Sequence, residues 1–408
     1  MGSTVRVLID LDATPAPSRP RPKLGLRMER RLVTPVALAT LLLLVVGGAA
    51  SPAPARVITE VAGTGGVSAT SHLLTPAALY VSHIADFAPE TPEDARSVVE
   101  AWPLVPGGPR WSTTVRATDP DLTLDEAGTT LVVRPGKTGT LTLIDVATGR
   151  VRWRTDDYAV ADLAGSRIVY GDLGTIRMVD VATGRVRWEH EDQPMAVDVD
   201  PKRRVVLVID QEGLPSIRSL ADGRMLVKPR SVGIDPFEWE QGGQSETIIG
   251  DTLYLHTDMF LAAYRLRDLH RLWSVRIAEP DMLGMCGALL CAAGGRGVTA
   301  IDPATGGIRW TGPRWRSITA DGQVVGIDLT AARLDLATGR VLAEFGRGAT
   351  VGDLLLRNDR DHTWVTGLAG GEIIGELPLI VSTRACSAAG AYLACPTNGQ
   401  TVTVWKVR

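Results

Sequence analysis

Beyond residue 55 the chain is written in short apolar runs such as "TTLVV", "LTLID", "RIVYG" and "RVVLVID", each closed by Gly, Asp or Pro. Runs of that length, rich in Val, Leu and Ile, read as β-strands. No stretch spaces its apolar residues at the three-and-four interval of an amphipathic helix. One segment upstream differs. "LVTPVALATLLLLVVGGAA", Leu32–Ala50, is nineteen residues without a charge. As a helix rising about 1.5 Å per residue it would extend roughly 28 Å, the hydrocarbon thickness of a bilayer.

The flanks of this run predict its orientation. Arg27, Arg30 and Arg31 precede it and only Arg56 follows closely, so the positive-inside rule places residues 1–31 in the cytosol and residues 56–408 outside. Pro35 falls in the first turn, where its missing N–H costs little. The alternative is a cleaved secretory signal, because Ala53 and Ala55 form an A-x-A pattern; the product would then be secreted. Residues 1–31 carry a net charge of +4, and "APSRPRPK" gives them the composition of a disordered tail. Within them Val5, Val7, Ile9 and Leu11 alternate like a strand that could join the sheet edge of a cytosolic partner.

The apolar runs are organised by a repeat. "LTLIDVATGRVRW" (Leu141–Trp153) returns as "IRMVDVATGRVRW" (Ile176–Trp188). The interval from turn glycine to tryptophan is the same for Gly107 and Trp111, Gly149 and Trp153, Gly184 and Trp188, and Gly306 and Trp310. At Gly339 the turn persists with Ala343 in the tryptophan position, and degraded copies surround Gly223, Asp268 and Gly370. The D-x-A-T-G segment has the chemistry of a hairpin. Asp145 ends a strand and can accept turn N–H groups, Gly149 supplies a positive φ, and Arg150 starts the return strand.

A second pair of strands lies between consecutive hairpins, so each repeat of about 40 residues holds four strands. This is an all-β chain of propeller blades. A blade cannot bury both of its faces alone, so Trp111, Trp153, Trp188, Trp273 and Trp310 are assigned to the gaps between blades. Eight hairpins are followed by a partial ninth unit, "YLACPTNGQTVTVWKVR", whose missing strand "RVITEV" (Arg56–Val61) could supply. Because propellers usually have about four to eight blades, we expect eight, with seven as the alternative.

The unit "IDVATGRVRW" and its copy "IDPATGGIRW" (Ile301–Trp310) resemble the PQQ-like repeat of the quinoprotein dehydrogenase superfamily. The whole layout resembles the membrane-anchored PQQ-binding-like propellers of actinobacteria. The resemblance implies a propeller over roughly residues 60–408, and many members of that family bind no quinone. The dehydrogenases carry a disulfide between adjacent cysteines, a Ca²⁺ and an Asp base. Here no two cysteines are adjacent, and Ca²⁺ needs six to eight converging oxygens. The densest acidic stretch, Asp119–Gly128, reads better as a turn before "TTLVV". PQQ with Ca²⁺ is therefore implied only by an enzyme reading, dehydrogenase or lyase. The expectation is no cofactor and a non-catalytic scaffold.

Other chemistry has no local signature. His72, His83, His190, His256, His270 and His362 are scattered, with no zinc-ligand spacing and no protease or hydrolase motif. The total charge of −3 leaves −7 beyond residue 31, which argues against nucleic acid as a partner. Envelope or extracellular proteins, and glycans, are the expected partner classes. Cys286 with Cys291 and Cys386 with Cys395 have odd separations, which predict pairs opposite one another across two-residue hairpins at Ala288–Leu289 and Gly390–Ala391. Two loops offer contact points: the acidic, Pro-rich segment 84–97, and the segment 232–246 carrying Phe237 and Trp239.

Overall fold

The computed structural model describes residues 57–407 apart from 66–67, 86–94, 137–138, 157–159, 173, 233–244, 258, 278–279, 370 and 398–400. The expected anchor at 32–50, the tail at 1–31, and Phe237 with Trp239 all lie outside the described residues. Among the described residues no helix is long and apolar enough to cross a membrane.

The strands form nine antiparallel four-stranded sheets. Eight are continuous in sequence: blade 1 (71–116), blade 2 (121–155), blade 3 (160–191), blade 4 (194–227), blade 5 (245–276), blade 6 (280–312), blade 7 (315–347) and blade 8 (349–377). Blade 9 takes three strands from 387–406 and its outermost one, Glu60–Gly63, from the other end of the domain. Glu60 stands opposite Trp405, so the ring is latched by pairing the start of the domain to its end. The latch begins further along than "RVITEV". Val57 instead makes a parallel bridge to Glu376 of blade 8, and Ile58 N donates to Glu376 O at 2.9 Å.

Nine blades correct the expectation of eight. The degraded repeats at Gly223, Asp268 and Gly370 are complete sheets. Ladder hydrogen bonds come from the backbone, so a blade survives the loss of its signature side chains.

The first strands of blades 1 and 2, of blades 3, 4 and 5, and of blades 9 and 1 lie next to one another. Second strands lie between two neighbouring sheets and are buried on both faces, as Val206, Leu207, Val208 and Ile209 are in blade 4. The apolar core is accordingly divided into clusters that each join adjacent blades. Leu131 and Val133 of blade 2 pack with Tyr80 and Val99 of blade 1, and Leu253 and Leu255 of blade 5 pack with Leu207 and Ile209 of blade 4. The sparsest cluster joins blades 7 and 8 through Ala331, Leu355, Leu368 and Phe345.

The repeat turn folds as its residues predict. Asp145 O accepts from Gly149 N at 2.8 Å, while the Asp145 carboxylate accepts from Thr148 N at 2.9 Å and the Thr148 hydroxyl at 2.8 Å. Gly149 holds φ 72°, a left-handed conformation that a side chain disfavours. The strand register slips by one residue just before this turn, between Leu143 and Ile144, which is the bulge such a turn brings. Arg152 adds a bond to Asp145 at 2.7 Å; with Thr148 it holds that carboxyl below its ordinary range.

Candidate functional site

The tryptophans do more than fill gaps. Trp111 Nε1 donates to Val146 O at 2.8 Å, Trp153 to Val181 O at 2.9 Å, Trp188 to Leu220 O at 3.1 Å, Trp273 to Pro303 O at 2.9 Å and Trp310 to Leu336 O at 2.8 Å. In every case the acceptor follows the first residue of the next blade's repeat turn. The indole also lies flat against the turn glycine. A Cβ added at Gly149 would stand 2.6 Å from Trp111 Cγ, and Gly184, Gly223, Gly306 and Gly339 are equally tight against their tryptophans. Each clamp therefore joins blade n to blade n+1 by one hydrogen bond and one backbone–indole contact. At the ring closure Tyr392 of blade 9 substitutes, its hydroxyl donating to Leu104 O of blade 1 at 3.1 Å.

The clamp fails between blades 4 and 5. Val227 stands where blades 1, 2, 3, 5 and 6 place tryptophan, and Leu269 stands where the next turn places glycine. Leu269 keeps the left-handed backbone, φ 52°, and its side chain is buried. Such a conformation costs a branched side chain on the order of 1–2 kcal/mol. Blades 7 and 8 lose only half of the pair. Ala343 replaces tryptophan, while Gly371 keeps φ 69° with open space where its Cβ would be; Gly370 lies outside the described residues.

A cavity of about 660 Å³ opens at the blade 4–5 junction. Val205, Ile217, Leu226 and Val227 of blade 4 form one wall, and Leu266 and Leu272 of blade 5 face them. Leu226 and Leu272 are 45% and 42% exposed, high for leucines on facing walls. Arg203, Arg265, Arg267, Asp251 and Thr252 complete the lining. Arg203 is committed: it bonds Asp200 within its own blade and Asp251 across the junction, both at 3.0 Å. Arg265 is committed to Asp268 at 3.0 Å. Arg267 is 79% exposed and reaches the same Asp268 only at 4.0 Å. The cleft thus has apolar walls and one exposed guanidinium, Arg267, paired only at long range with Asp268, over a solid core of Leu253, Leu255 and Tyr264.

A second feature lies at the axis. Asp162, Asp198 and Glu246 come from the first strands of blades 3, 4 and 5. Asp162 accepts from Val199 N of the next blade at 2.7 Å and from Leu163 N at 2.8 Å. Burial pushes the Asp198 carboxyl up to about 6, with the Asp162 charge adding to it. Burial and then Asp198 push Glu246 to about 7. Burial and the neighbouring negative charges both favour the protonated forms along this row. Among the described residues no group of three or more His, Cys, Asp or Glu could hold a metal ion.

Both disulfides form, Cys286–Cys291 and Cys386–Cys395. The second has the expected frame: Ala389 pairs with Tyr392 across Gly390–Ala391, which puts Cys386 level with Cys395. The first corrects the expected register. Cys286 pairs with Leu289 and Cys291 with Gly284, so the turn is Gly287–Ala288 and the bond runs diagonally. Gly287 takes φ 63°, a conformation the expected turn residues Ala288 and Leu289 would adopt at a cost, and that choice moves the register by one. In the stretch read as a turn before "TTLVV", Asp125 accepts from Thr129 N at 2.7 Å and Thr130 N at 2.9 Å.

Sequence reasoning missed Arg203, Leu226, Arg267, Leu272 and the axial carboxylates. A signal for the cleft was present. "GRMLV" lacks the tryptophan and "RLRDLH" lacks the glycine, and these two failures fall on the facing sides of one junction.

Fold and repeat together define a class: among the described residues, a nine-bladed β-propeller whose repeat turns resemble the PQQ-like unit. Residues 95–227 match the family model described as outer membrane protein assembly factor BamB. Among solved structures, BamB from Moraxella catarrhalis is similar at 17% identity and TM-score 0.46, covering 86% of this chain and 98% of that one. The computationally designed Ika8 protein is similar at 14% identity and TM-score 0.48, covering 70% of this chain and 95% of the other. The C-terminal WD40 domain of Sif2 is similar at 10% identity and TM-score 0.47, covering 87% and 100%. At these scores the likenesses specify neither ligand nor partner. No curated protein matches the chain.

Proposed function

We propose that this protein is a non-catalytic binding scaffold of the cell envelope, held at the membrane by residues 32–50 with the propeller outside. Its partner contact is the cleft between blades 4 and 5. One observation carries the reading: the repeat clamps most junctions shut, and at this junction both halves of the clamp are replaced so that an apolar cleft stays open. Open apolar clefts are where soluble domains meet partners. The family match to an assembly factor supports a scaffold over an enzyme.

The test is site-specific photocrosslinking in the source cells. A benzophenone amino acid is placed at Leu226 or Leu272 of the full-length protein, with Val151 of blade 2, 41% exposed, as the control position. The expected result is a discrete envelope protein crosslinked from the cleft positions and not from Val151. Equal labelling from all three sites would overturn the assignment. Retention in the membrane after alkaline carbonate, lost on deletion of residues 32–50, tests the anchor separately.

A further inference from the structure

Resting on that reading, we infer the chemistry of the partner: the cleft takes a segment of another protein that presents one large apolar side chain next to a carboxylate. The apolar requirement comes from the walls. Leu226, Val227, Leu266 and Leu272 line the space, and the buried Leu269 fills the part against which neighbouring junctions stack an indole. Leu269 decides how the space is entered. Its side chain occupies the ground on which the other indoles stack, so the guest cannot repeat the internal clamp and must seat further out, against the half-exposed Leu226 and Leu272.

The carboxylate requirement comes from counting commitments at the rim. Arg203 is neutralised by Asp200 and Asp251, and Arg265 by Asp268. Arg267 shares Asp268 with Arg265 at 4.0 Å and carries its charge into solvent directly above the leucines. An exposed guanidinium paired only at 4.0 Å beside an apolar floor calls for one carboxylate beside an apolar side chain, and Arg favours a bidentate partner. The same features argue against other guests. Among the described residues the cleft lining contains no aromatic ring for a sugar to stack on, and one loosely paired arginine is a poor match for nucleic acid or an anionic membrane.

A random heptapeptide phage library panned on the full-length protein tests this, with counter-selection on the Leu226→Asp/Leu272→Asp variant. The expected winners carry Phe, Trp, Leu or Met adjacent to Asp or Glu. As synthetic peptides they should bind Arg267→Glu at least tenfold more weakly. Changing the peptide acid to Lys should restore binding to that variant. If the double variant melts early, Arg267→Glu, whose side chain is mostly in solvent, takes over the counter-selection. Winners without an acid, winners indifferent to Arg267→Glu, or no winners would overturn the inference. Crosslinks from Leu226 and Leu272 persisting in any of those cases would leave the cleft as a contact site and refute only this partner chemistry.

Discussion

Gly184 and Trp153 belong to different blades, yet a Cβ on Gly184 would stand 2.8 Å from Trp153 Cγ. The indole nitrogen meanwhile bonds Val181 O in the same turn at 2.9 Å. One glycine therefore serves two purposes, the left-handed turn of its own blade and the seat of its neighbour's tryptophan. Gly184→Ala should destabilise the propeller by about 2–4 kcal/mol, combining backbone strain with overpacking. In a Trp153→Ala background the same change should cost only the backbone share, about 1 kcal/mol. Denaturant unfolding of the four species measures the coupling; strict additivity would refute the shared contact.

The converse substitution should close the cleft. Val227→Trp alone meets Leu269 and should destabilise by about 1–3 kcal/mol through overpacking. Val227→Trp with Leu269→Gly restores both halves of the clamp and should recover more than the sum of the single changes. The double variant should also lose crosslinking from Leu226. A cycle without positive coupling would show that more than these two positions holds the junction open.

The axial carboxylates predict a pH dependence opposite in sign to that of an ordinary acidic protein. Their folded pKa values are raised, so folding favours the protonated forms. The associated stability is fully present below the ordinary carboxyl value and is lost as pH rises towards about 7, the value for Glu246. Arg134 faces Asp162, and Asp200 adds to the repulsion on Asp198. Glu246→Gln should therefore stabilise the protein at pH 8 by about 1–3 kcal/mol and change little at pH 4. Thermal melts across pH 4–8 provide the check, and equal effects at both ends would contradict it.

Each disulfide closes a short loop, with sequence separations of 5 and 9. Chain-entropy reasoning assigns about 2–3 kcal/mol to each. Cys386→Ser/Cys395→Ser should lower stability by that amount, and because this pair ties the two inner strands of the latched blade, the loss should appear first as exchange of the Glu60–Gly63 amides. Hydrogen exchange comparing this variant with Cys286→Ser/Cys291→Ser tests the location. Uniform loss of protection in both would argue against a latch.

Much of this architecture is legible in one dimension. Strand lengths, the D-x-A-T-G turns and the recurrence of tryptophan all follow from local rules. Turn geometry is set by a few backbone angles, and strand faces by alternation. Asp145, Gly149 and Arg150 act within a few residues of one another, so their roles could be read directly. Blade number could not be read with the same certainty, because the signature side chains decorate a ladder that the backbone builds without them.

What the tertiary structure alone decided is whatever depends on residues far apart in sequence. That Trp153 seats on Gly184, that Val227 and Leu269 are two sides of one missing clamp, and that Asp162, Asp198 and Glu246 share a field are facts about neighbouring blades. The chain determined each blade and marked where the repeat lapses. Only the closed ring brought the lapses face to face, because burial and charge act through space, and turned the positions that break the pattern into a cleft.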